Sequence, residues 1–269
     1  MKRIQLFEFT DMPWYPNTFR QMQTDYLQFA STLSAGHKNI VPLIIKAMKK
    51  AKTSEIIDLC SGGSGPWLNL MKQLSDAGFP VSVKLTDKFP ASKTIEKFQS
   101  SDLSFLQQPV DAMNVPPDLK GMRTMFEGFH HFNPSQAKNI LQNAADQKVA
   151  VGLFDASIKM PAGLMLLLFS PVITVLTYLF ATPFIKPRKL SRFVFTYLLP
   201  FVPLATCWDG IVSMLRVYSP AEAEQLTAQS KADGYTWETG VASTGTPIFN
   251  FTYIIGYPDI SGESDEYNV

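Results

Sequence analysis

Apolar and polar positions alternate along most of the chain in blocks that predict strands and helices in turn. Short apolar runs bounded by turn residues predict strands, and apolar positions three and four residues apart predict helices. The predicted strands cover residues 55–59, 81–86, 103–107, 123–126, 149–154, 235–237 and 249–255. The first predicted helix has Phe19, Met22, Tyr26 and Phe29 on one face, and others cover residues 38–50, 67–77, 90–99, 134–146 and 220–232. This order favours an α/β fold with a seven-stranded, mostly parallel sheet and helices on both faces.

Residues 160–208 interrupt the alternation and predict an apolar helical insertion before the last strands. Residues 160–185 carry no charged side chain, and neither do residues 193–208. The cations between them are Lys186, Arg188, Lys189 and Arg192. Residues 164–185 are long enough to span a bilayer, but a spanning hairpin carries these cations to the far side, against the positive-inside tendency. A shallow hairpin keeps them at the cytoplasmic headgroups. We therefore favour a monotopic insertion, with a soluble helical lid and a transmembrane hairpin as alternatives.

Two charged residues stand in apolar surroundings after the insertion. Asp209 and Arg216 lie in residues 208–218, where all the remaining residues are uncharged. A buried charge is costly unless it is paired. We therefore expect these residues to pair with each other or to line a substrate pocket.

The overall composition excludes some classes of protein. With 24 Lys and Arg against 23 Asp and Glu, the chain lacks the basic excess of a nucleic-acid binder. Charged residues make up 17% and Phe occurs 20 times, which indicates apolar surface beyond that of an ordinary core. The two cysteines, Cys60 and Cys207, exclude a disulfide framework and indicate a reducing compartment. Because Glu8 and Asp11 interrupt any apolar N-terminal run, we expect no cleaved signal peptide and a cytoplasmic location.

A glycine-rich turn follows the first predicted strand, and such turns allow a backbone to approach a ligand closely. Asp58 ends the strand, and the turn that follows contains Gly62, Gly63 and Gly65. A tight surface turn without a ligand is one alternative. The G-x-G-x-x-G pattern of dinucleotide-binding turns is not present. An acid at Asp58 also crowds a pyrophosphate but suits a cationic amino-acid ligand, which favours S-adenosylmethionine (SAM) over NAD.

Acidic residues also follow the second and third predicted strands. Asp87 ends the second strand, where an acid in nucleoside-binding α/β folds accepts hydrogen bonds from the ribose hydroxyls. Asp111 follows the third strand, where it is placed to meet an adenine amino group.

The segment Asp58-Leu-Cys-Ser-Gly-Gly-Ser-Gly-Pro66 resembles the first motif of class I SAM-dependent methyltransferases, an acid followed by a glycine-rich loop. Asp87 resembles the family's ribose-binding acid, Asp111-Ala112 its adenine-binding pair, and residues 128–132 the segment that borders the methyl group. The resemblance covers about residues 50–157 and departs from the family at Cys60 and Ser64, where glycine is common. It implies a Rossmann-like fold with SAM as the cofactor. The implied cofactor-binding residues are Asp58, Cys60, Ser61, Gly62, Gly63, Gly65, Asp87, Lys88, Asp111 and Ala112.

Methyl transfer from SAM needs a base only when the acceptor must lose a proton. His130 and His131 are candidates because histidine titrates near neutral pH. In the alternative interpretation, one histidine packs in the core and the other caps the helix that begins near Pro134. Glu127 is a further catalytic candidate, or an anchor for the SAM amino group or the acceptor. The three His and two Cys have no spacing typical of a metal centre, so no metal ligand is predicted.

These observations predict an N-terminal helical lid (1–50), a SAM-binding core (51–158), a membrane-associated or lid insertion (159–210) and a C-terminal completion of the core (211–269). The predicted activity is methyl transfer from SAM to a hydrophobic small molecule or lipid, at a membrane surface and without a nucleic-acid partner. The alternative is a non-catalytic, membrane-anchored SAM-binding module of the same fold. The sequence leaves the acceptor and the oligomeric state open.

Overall fold

The computed structural model describes residues 3–33, 37–90, 99–158, 162–230, 232–245 and 249–259. Within them, seven strands form one sheet in the order β3-β2-β1-β4-β5-β7-β6. The strands are β1 (Glu55–Asp58), β2 (Ser82–Leu85), β3 (Leu103–Phe105), β4 (Met122–Phe126), β5 (Val151–Ile158), β6 (Tyr235–Ser243) and β7 (Phe249–Pro258). Strands β1 to β5 run parallel, and β7 is antiparallel to both of its neighbours. The predicted seven-stranded, mostly parallel sheet is confirmed.

The helices match most of the predicted segments. They are α1 (Asn17–Leu33), α2 (Val41–Lys50), α3 (Trp67–Asp76), α4 (Pro134–Asp146), α5 (Ala162–Ala181), α6 (Leu190–Phe193), α7 (Phe201–Arg216) and α8 (Pro220–Gln229). The helix predicted at 90–99 falls almost entirely outside the described residues. Helix α7 runs through residue 210, where the sequence analysis placed a segment boundary.

Both faces of the sheet are covered by helices. Neighbouring residues of a strand point to opposite faces, so those of β1 pack in two different clusters. Ile56 packs in a cluster with Ile44 of α2 and Leu70 of α3. Ile57, the next residue of β1, packs in a second cluster with Ile140 of α4. Burial on both faces explains why the central strands are apolar throughout rather than alternating.

The strand order reverses next to β1, and this reversal positions the candidate site. From β1 the chain adds β2 and then β3 on one side, and it returns to place β4 on the other side of β1. In open α/β sheets, ligands bind outside the carboxyl ends of the strands at such a switch point. Asp58 ends β1 and Glu127 follows β4, so both residues border this point.

The insertion packs on the first helix as well as on itself. Helix α5 contacts α7 and also α1. The ring of Tyr178 in α5 stacks on Tyr26 of α1 with 4.4 Å between centroids, and its hydroxyl donates a hydrogen bond to the Met22 carbonyl at 3.1 Å. The insertion and the first helix therefore form one packed unit.

No single helix among the described residues is long and apolar enough to cross a bilayer. The stretches Leu190–Leu198 and Phe201–Arg216 are, taken together, long and apolar enough to cross a bilayer, but they meet at a bend of 75°. Phe169–Ala181, in α5, is a shorter apolar helix.

Arg192, one of the four cations between the two uncharged stretches, does not lie on the surface. Its side chain is 1% exposed and forms an ion pair with Asp25 of α1. Its guanidinium also donates to the carbonyl oxygens of Ile185 and Pro187 at 3.2 and 3.1 Å. The prediction that all four cations face the headgroups is therefore wrong for this residue. Of the other three, Lys186 and Arg188 are exposed and Lys189 is half-buried.

Candidate active site

Asp58 lies beneath the glycine-rich turn and is buried. Its Oδ1 accepts a hydrogen bond from the Thr124 hydroxyl at 2.7 Å, and its Oδ2 accepts one from the Ser61 hydroxyl at 2.6 Å. Burial raises the pKa of Asp58 to about 6, although the hydrogen bonds from Ser61 and Thr124 oppose this shift. Because Thr124 lies on β4, the carboxyl group joins β1, β4 and the turn.

The turn has a left-handed path at four positions. The φ angles of Cys60, Gly62, Ser64 and Gly65 are +56°, +51°, +95° and +51°. Such angles cost a non-glycine residue about 1–2 kcal/mol and glycine much less. Cys60 and Ser64 are the positions where this chain departs from the family, and the left-handed path is present there without glycine. The Ser64 hydroxyl accepts a hydrogen bond from Gln28 Nε2 at 2.9 Å, which joins α1 to the turn.

The carboxylate of Asp87 links the end of β2 to the glycine-rich turn. Its Oδ2 accepts a hydrogen bond from the Gly62 N–H at 3.0 Å, and its Oδ1 accepts one from the Phe89 N–H at 2.9 Å. The structure thus brings the acid predicted to bind ribose against the turn predicted to approach the cofactor.

Asp111 extends the same edge of the sheet beyond β3. Its Oδ2 pairs with the Lys88 ammonium at 2.8 Å, and its Oδ1 accepts from the Met113 N–H at 2.9 Å. Burial acts to raise the pKa of Asp111, but the bonds from Lys88 and Met113 outweigh it and hold the pKa below its usual value. Ala112 is buried beside it. The predicted cofactor-binding residues after β1, β2 and β3 therefore lie together.

Glu127 borders the turn from the other side, at the end of β4. Its φ is +52°, and both of its carboxylate oxygens accept from the Ala156 N–H at 3.0 Å. Glu127 is exposed to solvent. Partial desolvation of its carboxyl group by the neighbouring protein, and then the Asp155 carboxylate, raise its pKa to about 8. The next residue, Gly128, lies so close to the turn that a Cβ there would be 3.5 Å from that of Cys60. Glu127 therefore lies beside the glycine-rich turn.

His130 is enclosed between two carboxylates. Its Nδ1 lies 3.1 Å from Asp155 Oδ1, and its Nε2 lies 3.8 Å from Glu8 Oε1. The residue is 2% exposed, and Nε2 has no hydrogen-bond partner among the described residues. Burial lowers the pKa of His130, but Asp155 and Glu8 outweigh this effect, so the pKa is raised overall.

His131 and Arg216 meet the other acid of the N-terminal segment, which we define as residues 3–16. His131 Nδ1 lies 2.9 Å from Asp11 Oδ1. Arg216 Nη1 lies 2.7 Å from Asp11 Oδ2 and 2.9 Å from Glu8 Oε1. Hydrogen bonding to His131 and Arg216 lowers the pKa of Asp11 to about 2, against the opposing effect of burial. The N-terminal segment therefore closes over the two histidines.

The expected pair between Asp209 and Arg216 does not form. Asp209 instead accepts hydrogen bonds from the Phe9 N–H at 2.7 Å, from the Thr10 N–H at 3.3 Å and from Gln23 Nε2 at 3.0 Å. Both residues are buried. Asp209 is hydrogen-bonded to the N-terminal segment and α1, and Arg216 is paired with acids of the N-terminal segment. That interpretation of the sequence was wrong because it paired neighbours along one helix and ignored residues 200 positions away.

The structure also tests whether a histidine caps the helix near Pro134. Asn133 caps α4: its Oδ1 accepts from the Gln136 N–H at 3.0 Å, and the Gln136 Oε1 accepts from the Asn133 N–H at 3.0 Å. Neither histidine therefore has the capping role.

Three charged residues around the histidines were not predicted as site residues: Glu8, Asp11 and Asp155. The sequence contains a weak signal for two of them, because Glu8 and Asp11 are acids in an aromatic, apolar N-terminal segment. Asp155 extends the strand predicted to end at residue 154, so its place beside His130 depends on the true length of β5.

Comparisons with known proteins give no family model and no curated protein that matches the chain. Solved structures of similar fold include the plantazolicin methyltransferase with S-adenosylhomocysteine bound, at 10% identity, covering 89% of this chain and 98% of that one, with a TM-score of 0.48. Human N-acetylserotonin methyltransferase in complex with SAM is 12% identical, with coverages of 88% and 56% and a TM-score of 0.47. LepI in complex with SAM is 13% identical, with coverages of 81% and 46% and a TM-score of 0.46.

This chain therefore spans less than half the length of LepI. At these identities the likeness concerns the fold alone. The chain has an α/β fold with a mostly parallel, seven-stranded sheet, and its candidate site lies at the switch point of that sheet.

Proposed function

We propose that the chain is a SAM-dependent methyltransferase that acts on a hydrophobic small molecule or lipid at a membrane surface. One observation carries the proposal: Asp58, the left-handed turn, Asp87 and Asp111 lie together at the carboxyl ends of β1, β2 and β3. The switch point of an α/β sheet is the usual ligand position. Acids and a close-approaching backbone at this position suit a nucleoside joined to a cationic amino acid.

The described residues divide the recognition of SAM among them. Asp87 is the acceptor for the ribose hydroxyls, and Asp111 with Ala112 forms the adenine end. Asp58 and the backbone of the turn face the amino-acid end. Lys88 pairs with Asp111 and fixes its orientation. When bound, SAM supplies an activated methyl group that moves from sulfur to a nucleophilic atom of the acceptor, leaving S-adenosylhomocysteine.

An acceptor hydroxyl must lose its proton during this transfer, and three residues are candidates for receiving it. Glu127 is exposed, and its raised pKa leaves it able to exchange a proton near neutral pH. His131 is half-buried, with 31% of its side chain exposed. His130 is enclosed by Asp155 and Glu8, so a proton reaches it only if the N-terminal segment moves. This enclosure favours Glu127 and His131.

The apolar surface of the insertion supports a hydrophobic acceptor and a membrane site. Helices α5 and α7 and the segment between them expose many large apolar side chains: Phe169, Val172, Ile173, Leu176, Phe180, Phe184, Leu190, Leu198, Leu199, Phe201, Leu204 and Trp208. Exposed apolar surface of this extent marks an interaction site. Lys186 and Arg188 are exposed in the same segment, and this combination suits an anionic, cytoplasmic lipid surface.

SAM binding by calorimetry, followed by transfer of label from methyl-labelled SAM to a membrane extract, tests the proposal. Asp87→Ala should weaken SAM binding by about 1.5–3 kcal/mol for each charge-assisted hydrogen bond lost, or roughly 10-fold to 100-fold in Kd. Asp102→Ala, at an exposed acid that directly precedes β3, is the matched control. Unchanged affinity in a folded Asp87→Ala variant refutes the ribose assignment. Binding of SAM without any transfer supports the non-catalytic module instead.

A further inference from the structure

The two histidines and one acid of the N-terminal segment form a compact group of metal-ligating atoms. His130 Nε2 lies 3.8 Å from Glu8 Oε1, and His131 Nδ1 lies 3.7 Å from Glu8 Oε2. One ligand atom from each of the three residues lies within 4.8 Å of the others. Ligand atoms about 2.1 Å from a tetrahedral metal are about 3.4 Å apart. The two contacts to Glu8, each to a different carboxylate oxygen, are therefore only about 0.3–0.4 Å longer than the spacing around a metal ion.

His130 points an unpartnered nitrogen into this group. The Nδ1 side of the ring faces Asp155 at 3.1 Å, and Nε2 is buried with no hydrogen-bond partner among the described residues. When Nδ1–H donates to Asp155, Nε2 carries a lone pair that faces the Glu8 carboxylate across 3.8 Å. A carboxylate that holds one ring nitrogen and frees the other is the arrangement that orients histidine ligands in metal sites.

The charges around the imidazoles leave room for a divalent cation. Glu8, Asp11 and Asp155 contribute three carboxylates, whereas Arg216 is the guanidinium that pairs with Glu8 and Asp11. With neutral histidines, this group has an excess of two negative charges. Carboxylate ligands are commonly held by further hydrogen bonds, as Arg216 holds Glu8 at 2.9 Å.

We propose that Glu8, His130 and His131 bind a divalent first-row transition-metal ion such as Zn²⁺, with Asp155 as the residue that positions His130. Two imidazoles and a carboxylate are a ligand set that Zn²⁺ accepts. Binding at His131 Nδ1 replaces its hydrogen bond to Asp11, which makes Asp11 the candidate fourth ligand. Because Glu8 belongs to the N-terminal segment and the histidines to the core, the ion joins the two.

The test measures metal binding without SAM, so its failure is separate from a failure of the proposed activity. Metal-free protein is titrated with Zn²⁺ by calorimetry, and its Tm is recorded with and without the ion. We expect one equivalent to bind and the Tm to rise, because a ligand that binds only the folded state stabilises it. Substitution of Zn²⁺ by Co²⁺ gives a visible spectrum that reports the ligand geometry.

Three variants assign the site. Glu8→Gln and His131→Ala should each lower Zn²⁺ affinity by at least 100-fold, and Asp155→Asn should lower it by about 10-fold to 100-fold. His37→Asn, at the third histidine of the chain, is the matched control and should bind as the wild type does. His131 is half-buried, so His131→Ala tests the site even where Glu8→Gln fails to fold. Absence of binding by the wild type, or equal binding by wild type and His131→Ala, overturns the proposal. Protons on the histidines would then balance the negative charge of the carboxylates around them.

Discussion

At the scale of single residues, the carboxyl group of Asp58 is buried and accepts hydrogen bonds from two hydroxyl groups. Among the described residues no cation pairs with it, and its contacts are Ser61 and Thr124. Burial without a nearby cation disfavours the charged form of the carboxyl group, which is why its pKa is raised to about 6. In the proposed function, the positive charge of SAM partly supplies the missing cation.

Asp58 should make the ligand-free protein less stable as the pH rises from about 4 to about 6. A carboxyl group whose pKa is raised on folding binds protons more readily in the folded state, so the unfolding free energy falls across this window. Asp58→Asn removes this titration. The unfolding free energy of the wild type minus that of Asp58→Asn, from denaturant titrations, should therefore decrease between pH 4 and pH 6.

The exposed Asp118→Asn is the control for loss of a carboxylate elsewhere on the surface. A difference between wild type and Asp58→Asn that stays constant across this pH range would contradict the account of Asp58 as a buried, unpaired acid.

Site residues were predictable where the strand pattern alone fixed their place. Asp58, Asp87 and Asp111 each follow a predicted strand, and parallel strands bring their carboxyl ends to one edge of the sheet. Glu8 and Asp11 were not predictable as site residues, because they meet the histidines only after the N-terminal segment folds back over about 120 positions. The same limit explains Asp209, whose partners Phe9 and Gln23 are 200 and 186 positions away along the chain.

At the scale of secondary-structure elements, one ion pair fastens the insertion to the first helix. Arg192 of α6 is 1% exposed and Asp25 of α1 is 13% exposed, and the ion pair joins these two helices. The sequence placed Arg192 among surface cations because three other cations lie within six residues of it. Only the position of α1 shows that this cation faces inward, so its burial could not be read from the local pattern.

Asp25→Asn should destabilise the protein through Arg192. Removal of one partner of a buried ion pair costs about 3–5 kcal/mol, because the other charge stays buried without compensation. The carbonyls of Ile185 and Pro187 still accept from Arg192, so the loss should lie toward the lower end of this range. Denaturant titration gives the unfolding free energy of the variant and of the wild type.

The exposed pair between Lys84 and Glu55, 3.7 Å apart, provides the control. Glu55→Gln should cost no more than about 1 kcal/mol, because exposed ion pairs are screened by solvent. Similar losses from Asp25→Asn and Glu55→Gln would mean that Arg192 is not held in the interior.

At the scale of the whole molecule, the N-terminal segment connects the candidate site with the apolar surface. Its Glu8 and Asp11 contact the histidines and Arg216, and its Phe7 packs on Trp208 of α7 with 5.3 Å between ring centroids. In the proposed function, insertion of α7 into a lipid surface would therefore act on the segment that covers the histidines. A hydrophobic acceptor taken from the membrane would meet the site beneath this same segment.

The apolar surface should bind anionic vesicles through its flanking cations. Each basic residue near an anionic surface contributes about 1 kcal/mol. Combined substitution of Lys186, Arg188 and Lys189 by Gln should therefore lower affinity by roughly 100-fold at low salt and flatten its salt dependence. Arg192 is left unchanged, because its substitution would disturb the fold.

Substitution of Lys49, Lys50 and Lys72 removes three exposed cations from α2 and α3 and should leave binding unchanged. Sedimentation with anionic and with neutral vesicles measures both sets, and wild-type protein that stays in the supernatant with both vesicle types would show that the apolar surface serves another partner.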